Sequence, residues 1–195
     1  ISHSPGVGAH MGLTHILVAL GLSHAPQPAR YPEFARITWG DSPTVVKTKL
    51  KASGYILDGD DNGDIAFHGR SLGFDGTGWV YFAKGAAVKA IFVVRPGAEK
   101  ALDTYDRLRK ALTRAEGPST YTLENEEAPF AKGDGRMLEA IAAGHGFLSC
   151  AWKVGPKDTD MGLVLITQKD ASVKLSYEGP GWHDEFQRRS KAGQP

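Results

Sequence analysis

The sequence predicts an α+β protein made of two tandem modules, each with a helix or two packed on one face of an antiparallel meander sheet. Short strand-like runs outnumber helix-like segments, which favours this class. Residues 173–177 alternate apolar and polar side chains, as the strands of a half-solvated antiparallel sheet do. The chain also lacks the glycine-rich strand–turn–helix fingerprint that is typical of doubly wound parallel sheets.

The first half has clear helix signals. Ser42 and Pro43 predict a helix start, because a hydroxyl can cap free N–H groups and proline suits the first turn. A longer helix is predicted over residues 99–115, where leucines recur at helical spacing before Gly117. Between these helices, alternation and β-branched residues predict four strands, at residues 55–57, 65–68, 79–82 and 88–94.

The second half repeats part of this order. It begins with an extended acidic run at residues 121–127, followed by a short helix at residues 136–143. Three strands are then predicted, at residues 147–154, 162–167 and 173–177. The tail over residues 182–195 is amphipathic and then basic, and we expect it to fray. The predicted modules are residues 31–118 and 119–195.

The amino-acid composition argues against partners that are attracted by the net charge of the whole molecule. The 195 residues include 23 basic and 22 acidic side chains, a net charge of +1, so the whole molecule is not drawn to nucleic acid or acidic membranes by charge. An electrostatic partner would need a local patch. The single cysteine, Cys150, allows no internal disulfide, and its apolar surroundings predict a buried thiol.

Residues 1–30 are predicted to be a remnant of an expression tag followed by a leader or linker. Residues 11–25 have the length and apolar centre of a secretory signal, but they lack a positive start and precede Pro26. A buried or amphipathic helix of a cytoplasmic protein is the alternative. The apolar run is too short to cross a bilayer. The compartment, envelope or cytoplasm, stays open.

Three local patterns carry a family resemblance. They are a Trp-Gly-x-Ser motif from Trp39, a Phe-x-Gly-x-Leu-Gly-like meander from Phe67, and a helix with Tyr105, Leu108 and Leu112 on one side. Together they resemble the β-lactamase inhibitor protein family and the small lipoprotein of the β-barrel assembly machine. The resemblance implies helices on one face of an antiparallel sheet and a non-catalytic, protein-binding open face. The chain departs from the pattern in having no disulfide pair and no lipid-attachment cysteine.

The leading functional prediction is therefore a non-enzymatic module that contacts a protein partner. Aromatic side chains in the middle of a sheet face are typical binding anchors. The predicted binding residues are Tyr55, Trp79, Tyr81, Trp152 and Tyr177.

The alternative is a cytoplasmic stress protein that binds single-stranded DNA. In this interpretation, exposed rings stack on bases while basic helix faces hold phosphates. The basic residues concerned are Lys47, Lys49, Lys51, Arg107, Lys110, Arg114, Arg188 and Arg189.

Chemistry-bearing motifs are sparse. Asp58, Asp60, Asn62 and Asp64 resemble the first half of a calcium loop, but Gly69 stands where a bidentate glutamate is needed. A polar hairpin turn explains the same residues, so no metal and no cofactor are predicted. Histidines at metal-binding spacing are absent from the sequence. A small enzyme of unknown chemistry is the third and least favoured prediction.

Overall fold

The structure is a computed structural model that describes residues 31–154 and 161–193. The helices are α1 (Pro43–Ala52), α2 (Ala101–Glu116), α3 (Met137–Ala143) and α4 (Trp182–Lys191), with a short 3₁₀ turn at Ala98–Lys100 before α2. The strands are β1 (Ile56–Asp61), β2 (Asp64–Ser71), β3 (Phe74–Ala83), β4 (Ala86–Val94), β5 (Tyr121–Glu126), β6 (Gly146–Lys153), β7 (Met161–Thr167) and β8 (Val173–Glu178). The α+β class and the antiparallel sheet are confirmed.

All eight strands form a single antiparallel sheet in the order β1-β2-β3-β4-β8-β7-β6-β5. The first four strands form a meander, and β4 then pairs with β8, so that the two halves of the chain meet at the centre of the sheet. Among the described strands, β1 and β5 lie at the edges of the sheet. Residues 1–30, the predicted tag remnant with a leader or linker, lie outside the described residues.

The main core lies between the sheet and helices α1 and α2. Val46 and Leu50 of α1 and Leu108 and Leu112 of α2 belong to one hydrophobic cluster with strand residues from both halves of the chain. The helices attach in this way because their apolar side chains recur every three or four residues. We call the face of the sheet that α1 and α2 cover the helix face.

A glycine allows the tight packing of this face. Gly78 pairs with Phe67 on β2 and Phe92 on β4. A Cβ at Gly78 would collide with the ring of Phe67 and with the carbonyl oxygen of Ile91. The missing side chain thus leaves room for the aromatic rings beside it.

The other two helices attach differently. Helix α3 packs on β6 at Gly146, where an added Cβ would come within 2.9 Å of the Ala140 Cβ. Helix α4 lies on the opposite face of the sheet from α1 and α2, where Trp182 contacts the ring of Tyr81. The prediction that the tail frays is wrong for residues 182–191, which form this helix. In the described ranges, no helix combines the length and the apolarity needed to cross a membrane.

Candidate functional site

The face of the sheet opposite α1 and α2 can be followed through the strand register. One row of paired residues crosses the sheet from β2 to β5, and the next row crosses it from β1 to β5. The first row is Ala66, Trp79, Ile91, Ser176, Val164, Ala151 and Tyr121. The second row is Ile56, His68, Thr77, Val93, Lys174, Ile166, Ser149 and Leu123. We call these two rows the open face.

Exposed apolar side chains lie at both edges of the open face. Ile56 is 59% exposed at one edge of the sheet, and Leu123 and Tyr121 are 54% and 40% exposed at the other. Between them, Trp79 and Ile91 are partly exposed. Apolar side chains that share one exposed surface mark interaction sites more often than scattered ones do.

Three of the five predicted binding aromatics do not belong to this face. Tyr55, Trp152 and Tyr177 are buried in the main core, each 6–8% exposed. Burial raises the pKa of the Tyr55 and Tyr177 hydroxyls, and the Trp152 indole donates a hydrogen bond to the Gly117 carbonyl at 2.8 Å. The prediction that all five rings share an exposed face is therefore wrong for these three.

Trp79 and Tyr81 do point to the side opposite the main core, because they alternate along β3 with buried Val80 and Phe82. Trp79 lies on the open face. The ring of Tyr81 lies one row further on, under α4, with the Trp182 ring 5.6 Å away and the Arg189 guanidinium 5.1 Å from its centroid. Of the predicted anchors, Trp79 is the one that the structure leaves on the open face.

Helix α4 is held over this part of the sheet mainly by charge. Arg189 donates to both carboxylate oxygens of Asp64, at 2.7 and 2.9 Å, and to Glu185 at 2.8 Å. All three side chains are buried. Hydrogen bonds from Arg188 and then Arg189 lower the pKa of Glu185 to about 2. This charged cluster fixes the boundary of the open face.

A second charged contact lies at the start of α4. Lys89 of β4 contacts Glu178 at 2.9 Å and lies 4.0 Å from the centroid of the Trp182 ring. Burial lowers the pKa of Lys89, and the Glu178 carboxylate opposes that shift. The Trp182 indole therefore lies against a partly desolvated ammonium group. Desolvation of the cation strengthens the cation–π attraction.

The structure does not gather the predicted basic residues into one groove. Helices α1 and α2, which carry six of the eight, cover the helix face, whereas Arg188 and Arg189 lie on α4 at the other face. Arg189 is buried against Asp64, so its predicted contact with phosphate is wrong. Several others already have acidic partners: Lys47 pairs with Asp60, Lys49 with Asp41, Arg107 with Asp103, Lys110 with Asp106 and Arg188 with Glu185.

The acidic turn between β1 and β2 is not arranged as a calcium loop. Asp58 contacts the Nδ1 atom of His68 at 2.6 Å, and Asp60 contacts Lys47 at 2.8 Å. Asp64 turns instead to Arg189 on the far face. In the described part of the chain, no cluster of three or more His, Cys, Asp or Glu side chains is placed to hold a metal ion.

A depression of about 590 Å³ lies between α3 and the β7–β8 turn, lined in part by Ile141, Phe147 and Thr167. Two of its polar side chains have structural contacts: the Thr167 hydroxyl accepts a hydrogen bond from the Leu148 N–H at 3.0 Å, and Asp170 accepts one from the Ser172 hydroxyl at 2.6 Å. Such contacts fix a turn and do not form a nucleophile–base pair.

Neither a protein-family model, nor a curated protein, nor a solved structure matches this chain. Sequence reasoning missed Ile56, Ile91 and Leu123 on this face. Each stands at an alternating strand position where a polar residue would be the ordinary choice, and this is the signal that marks them.

Proposed function

We propose that this chain is a non-enzymatic binding module that contacts a protein partner through the open face, with Trp79 as its central anchor. The supporting observation is the exposed apolar residues on a face otherwise bordered by charge. Ile56 and Leu123 lie at opposite edges of the sheet, and Trp79 and Ile91 are paired between them. In this proposal, residues 31–118 and 119–195 are two helix-on-sheet modules that contribute to this one surface.

A few side chains contribute most of the binding energy at protein interfaces, and tryptophan, tyrosine and arginine are enriched among them. A half-buried tryptophan on a rigid strand also loses little conformational freedom on binding. Binding of single-stranded DNA stays a prediction. Several of the basic residues predicted to hold phosphates pair with acidic neighbours, so this function has less support than protein binding.

The test begins with the partner itself. A photo-crosslinking amino acid at Ile91 should capture a specific protein in the cells that make this chain, whereas the same group at Lys110 on α2 should not. The captured protein is identified by mass spectrometry. Its affinity is then measured by calorimetry against purified variants.

We expect Trp79→Ala to weaken binding of that protein by roughly tenfold or more, since truncating an anchor costs more than about 1.4 kcal/mol. Val45→Ala is the matched control, because Val45 is an exposed apolar side chain on α1, away from the open face. Melting curves establish that both variants fold. Unchanged binding by a folded Trp79→Ala variant, or equal crosslinking from both positions, would contradict the proposal.

A further inference from the structure

The outer edge of β5 leaves a row of backbone groups unpaired within the described structure. The Glu127 N–H donates to the His145 carbonyl at 2.7 Å, and this pair continues the β5–β6 register of Glu126 with Gly146. In an antiparallel ladder, alternate residues exchange both backbone hydrogen bonds with the neighbouring strand. Residues 121, 123 and 125 therefore bond to β6 and residue 127 to His145 just before it, and Thr122, Glu124 and Glu126 direct their N–H and C=O groups outward.

The other edge of the sheet, at β1, is protected against further strand pairing. The register of β1 shifts between Leu57 and Gly59, and bulges of this kind interrupt further pairing. Two acidic residues of β1 also have side-chain partners: Asp58 contacts His68, and Asp60 pairs with Lys47. A regular ladder without a register shift is found at the β5 edge.

The side chains of β5 define what this edge would accept. Thr122 pairs with Cys150, a residue of the main core, so the even-numbered side chains of β5 lie on the helix face. Glu124 and Glu126 follow in this row and have no ion-pair partner in the described part of the chain. The odd-numbered side chains, including exposed Leu123, lie on the open face.

We propose that β5 adds a strand from a partner protein, an extended segment in which basic and apolar residues alternate. Its backbone would pair with Thr122, Glu124 and Glu126. Its basic side chains would lie beside the two glutamates on the helix face, and its apolar side chains would lie beside Leu123. Cross-strand neighbours of opposite charge stabilise an added strand, and like charges destabilise it.

A second copy of this chain is a poorer occupant. Pairing of β5 with its own copy would bring Glu124, Glu126 and Glu127 of both molecules along one seam. Negative charges on an edge strand are a common protection against self-pairing. The same charges attract a basic strand, so the edge selects its occupant by charge.

The probe is a short capped peptide in which lysine and valine alternate, compared with a peptide of equal composition in which the lysines and valines form separate blocks. Amide hydrogen exchange is followed by NMR with and without each peptide. We expect the alternating peptide to slow exchange at Thr122, Glu124 and Glu126, while the already bonded amides of Leu123 and Asn125 change little. The block peptide should produce neither effect.

Two variants separate charge from backbone pairing. Glu124→Lys combined with Glu126→Lys should weaken the alternating peptide about tenfold or more, as expected for reversing two cross-strand pairs. Glu33→Lys combined with Glu99→Lys changes the net charge equally at exposed sites elsewhere and should bind normally. Glu124→Pro removes an outward N–H that β6 does not use, so it should fold and lose the peptide.

Three results would overturn the inference: no binding of the alternating peptide, binding without slower exchange at the three outward amides, or concentration-dependent self-association that Glu124→Pro abolishes. Trp79→Ala should leave peptide binding at β5 unchanged. Failure at β5 is thus distinguishable from failure of the open face as a protein-binding surface.

Discussion

Arg188 and Arg189 are neighbours with the same chemistry and opposite surroundings. The Arg188 side chain is 59% exposed and that of Arg189 is 11% exposed, although both contact Glu185. Arg189 also reaches Asp64, 125 positions away in sequence, and the Phe82 carbonyl at 3.2 Å. Because a buried charge cannot recover its hydration, its acidic partners matter far more than those of an exposed arginine.

This contrast predicts how two equivalent substitutions differ. Arg189→Met should lower the free energy of unfolding by about 3–5 kcal/mol, because it leaves the buried Asp64 and Glu185 carboxylates without their shared cation. Arg107→Met is the control, since its salt bridge with Asp103 is exposed on both sides and exposed pairs contribute about 0–1 kcal/mol. Urea unfolding measures the free energy of unfolding of both variants. Equal losses would contradict the conclusion that buried Arg189 contributes more to stability than exposed Arg107.

Helix α4 differs from α2 in the way it is attached to the sheet. The buried side of α2 is mostly apolar, whereas the buried residues of α4 are Glu185 and Arg189. Periodicity of apolar residues therefore predicts α2 well and cannot predict how α4 docks. A sequence in which the inward side of a helix is charged resembles a solvated tail, and for this reason the predicted fraying was wrong.

Attachment by charge makes α4 sensitive to acid. The folded-state pKa of Glu185 is about 2, below its ordinary value of 4.5, so its stabilising contribution is complete above pH 4.5 and is lost as pH falls toward 2. We expect amide exchange in α4 to accelerate over this range before that in the apolar core of α2. The measurement is hydrogen exchange at stepped pH.

Glu185→Gln provides the control for this prediction. The amide cannot titrate, so α4 should be less protected near neutral pH and should lose little further protection as the solution is acidified. An α4 that shows the same acid profile in the Gln variant and in the original chain would show that another group is responsible.

At the scale of the whole molecule, the two halves share one sheet and one core. Phe92 of β4 pairs with Leu175 of β8, and both belong to the cluster that also contains Leu50 of α1 and Leu165 of β7. A seam of this kind joins the halves by backbone pairing and by packing. Separate unfolding of residues 31–118 and 119–193 would have to expose this shared core.

We therefore expect a single unfolding transition. Leu50→Ala in the first half and Leu165→Ala in the second should each shift the whole transition, with a loss of about 2–5 kcal/mol for truncation of a buried leucine. Circular dichroism and tryptophan fluorescence in urea should give coincident curves. Two transitions, each moved only by the substitution in its own half, would instead indicate independent modules.

Much of this architecture follows from the sequence, because alternation and helix-stop residues act locally. Every predicted strand and helix has a counterpart within a few residues, and Gly54, Gly117 and Gly144 follow helices where expected. The facing of each strand is not local, since it depends on register with distant partners. Trp152 and Trp79 look alike as strand aromatics, yet the register turns the first inward and the second outward.

The candidate site was therefore only partly predictable. Trp79 lies on the open face, but three of the five rings predicted to bind a partner belong to the core. The position of β5 at an edge of the described sheet depends on strand order, in particular on the pairing of β4 with β8. Patterns within single segments do not specify that pairing.

The thiol of Cys150, buried inside the molecule, can report on unfolding. It is 1% exposed, and burial raises its pKa, so the reactive thiolate is scarce while the fold is intact. A thiol-selective reagent can reach it only when α2 and the sheet separate around it. Cys150 can therefore serve as a single-site label without an engineered tag. Its rate of modification measures how often the interior opens.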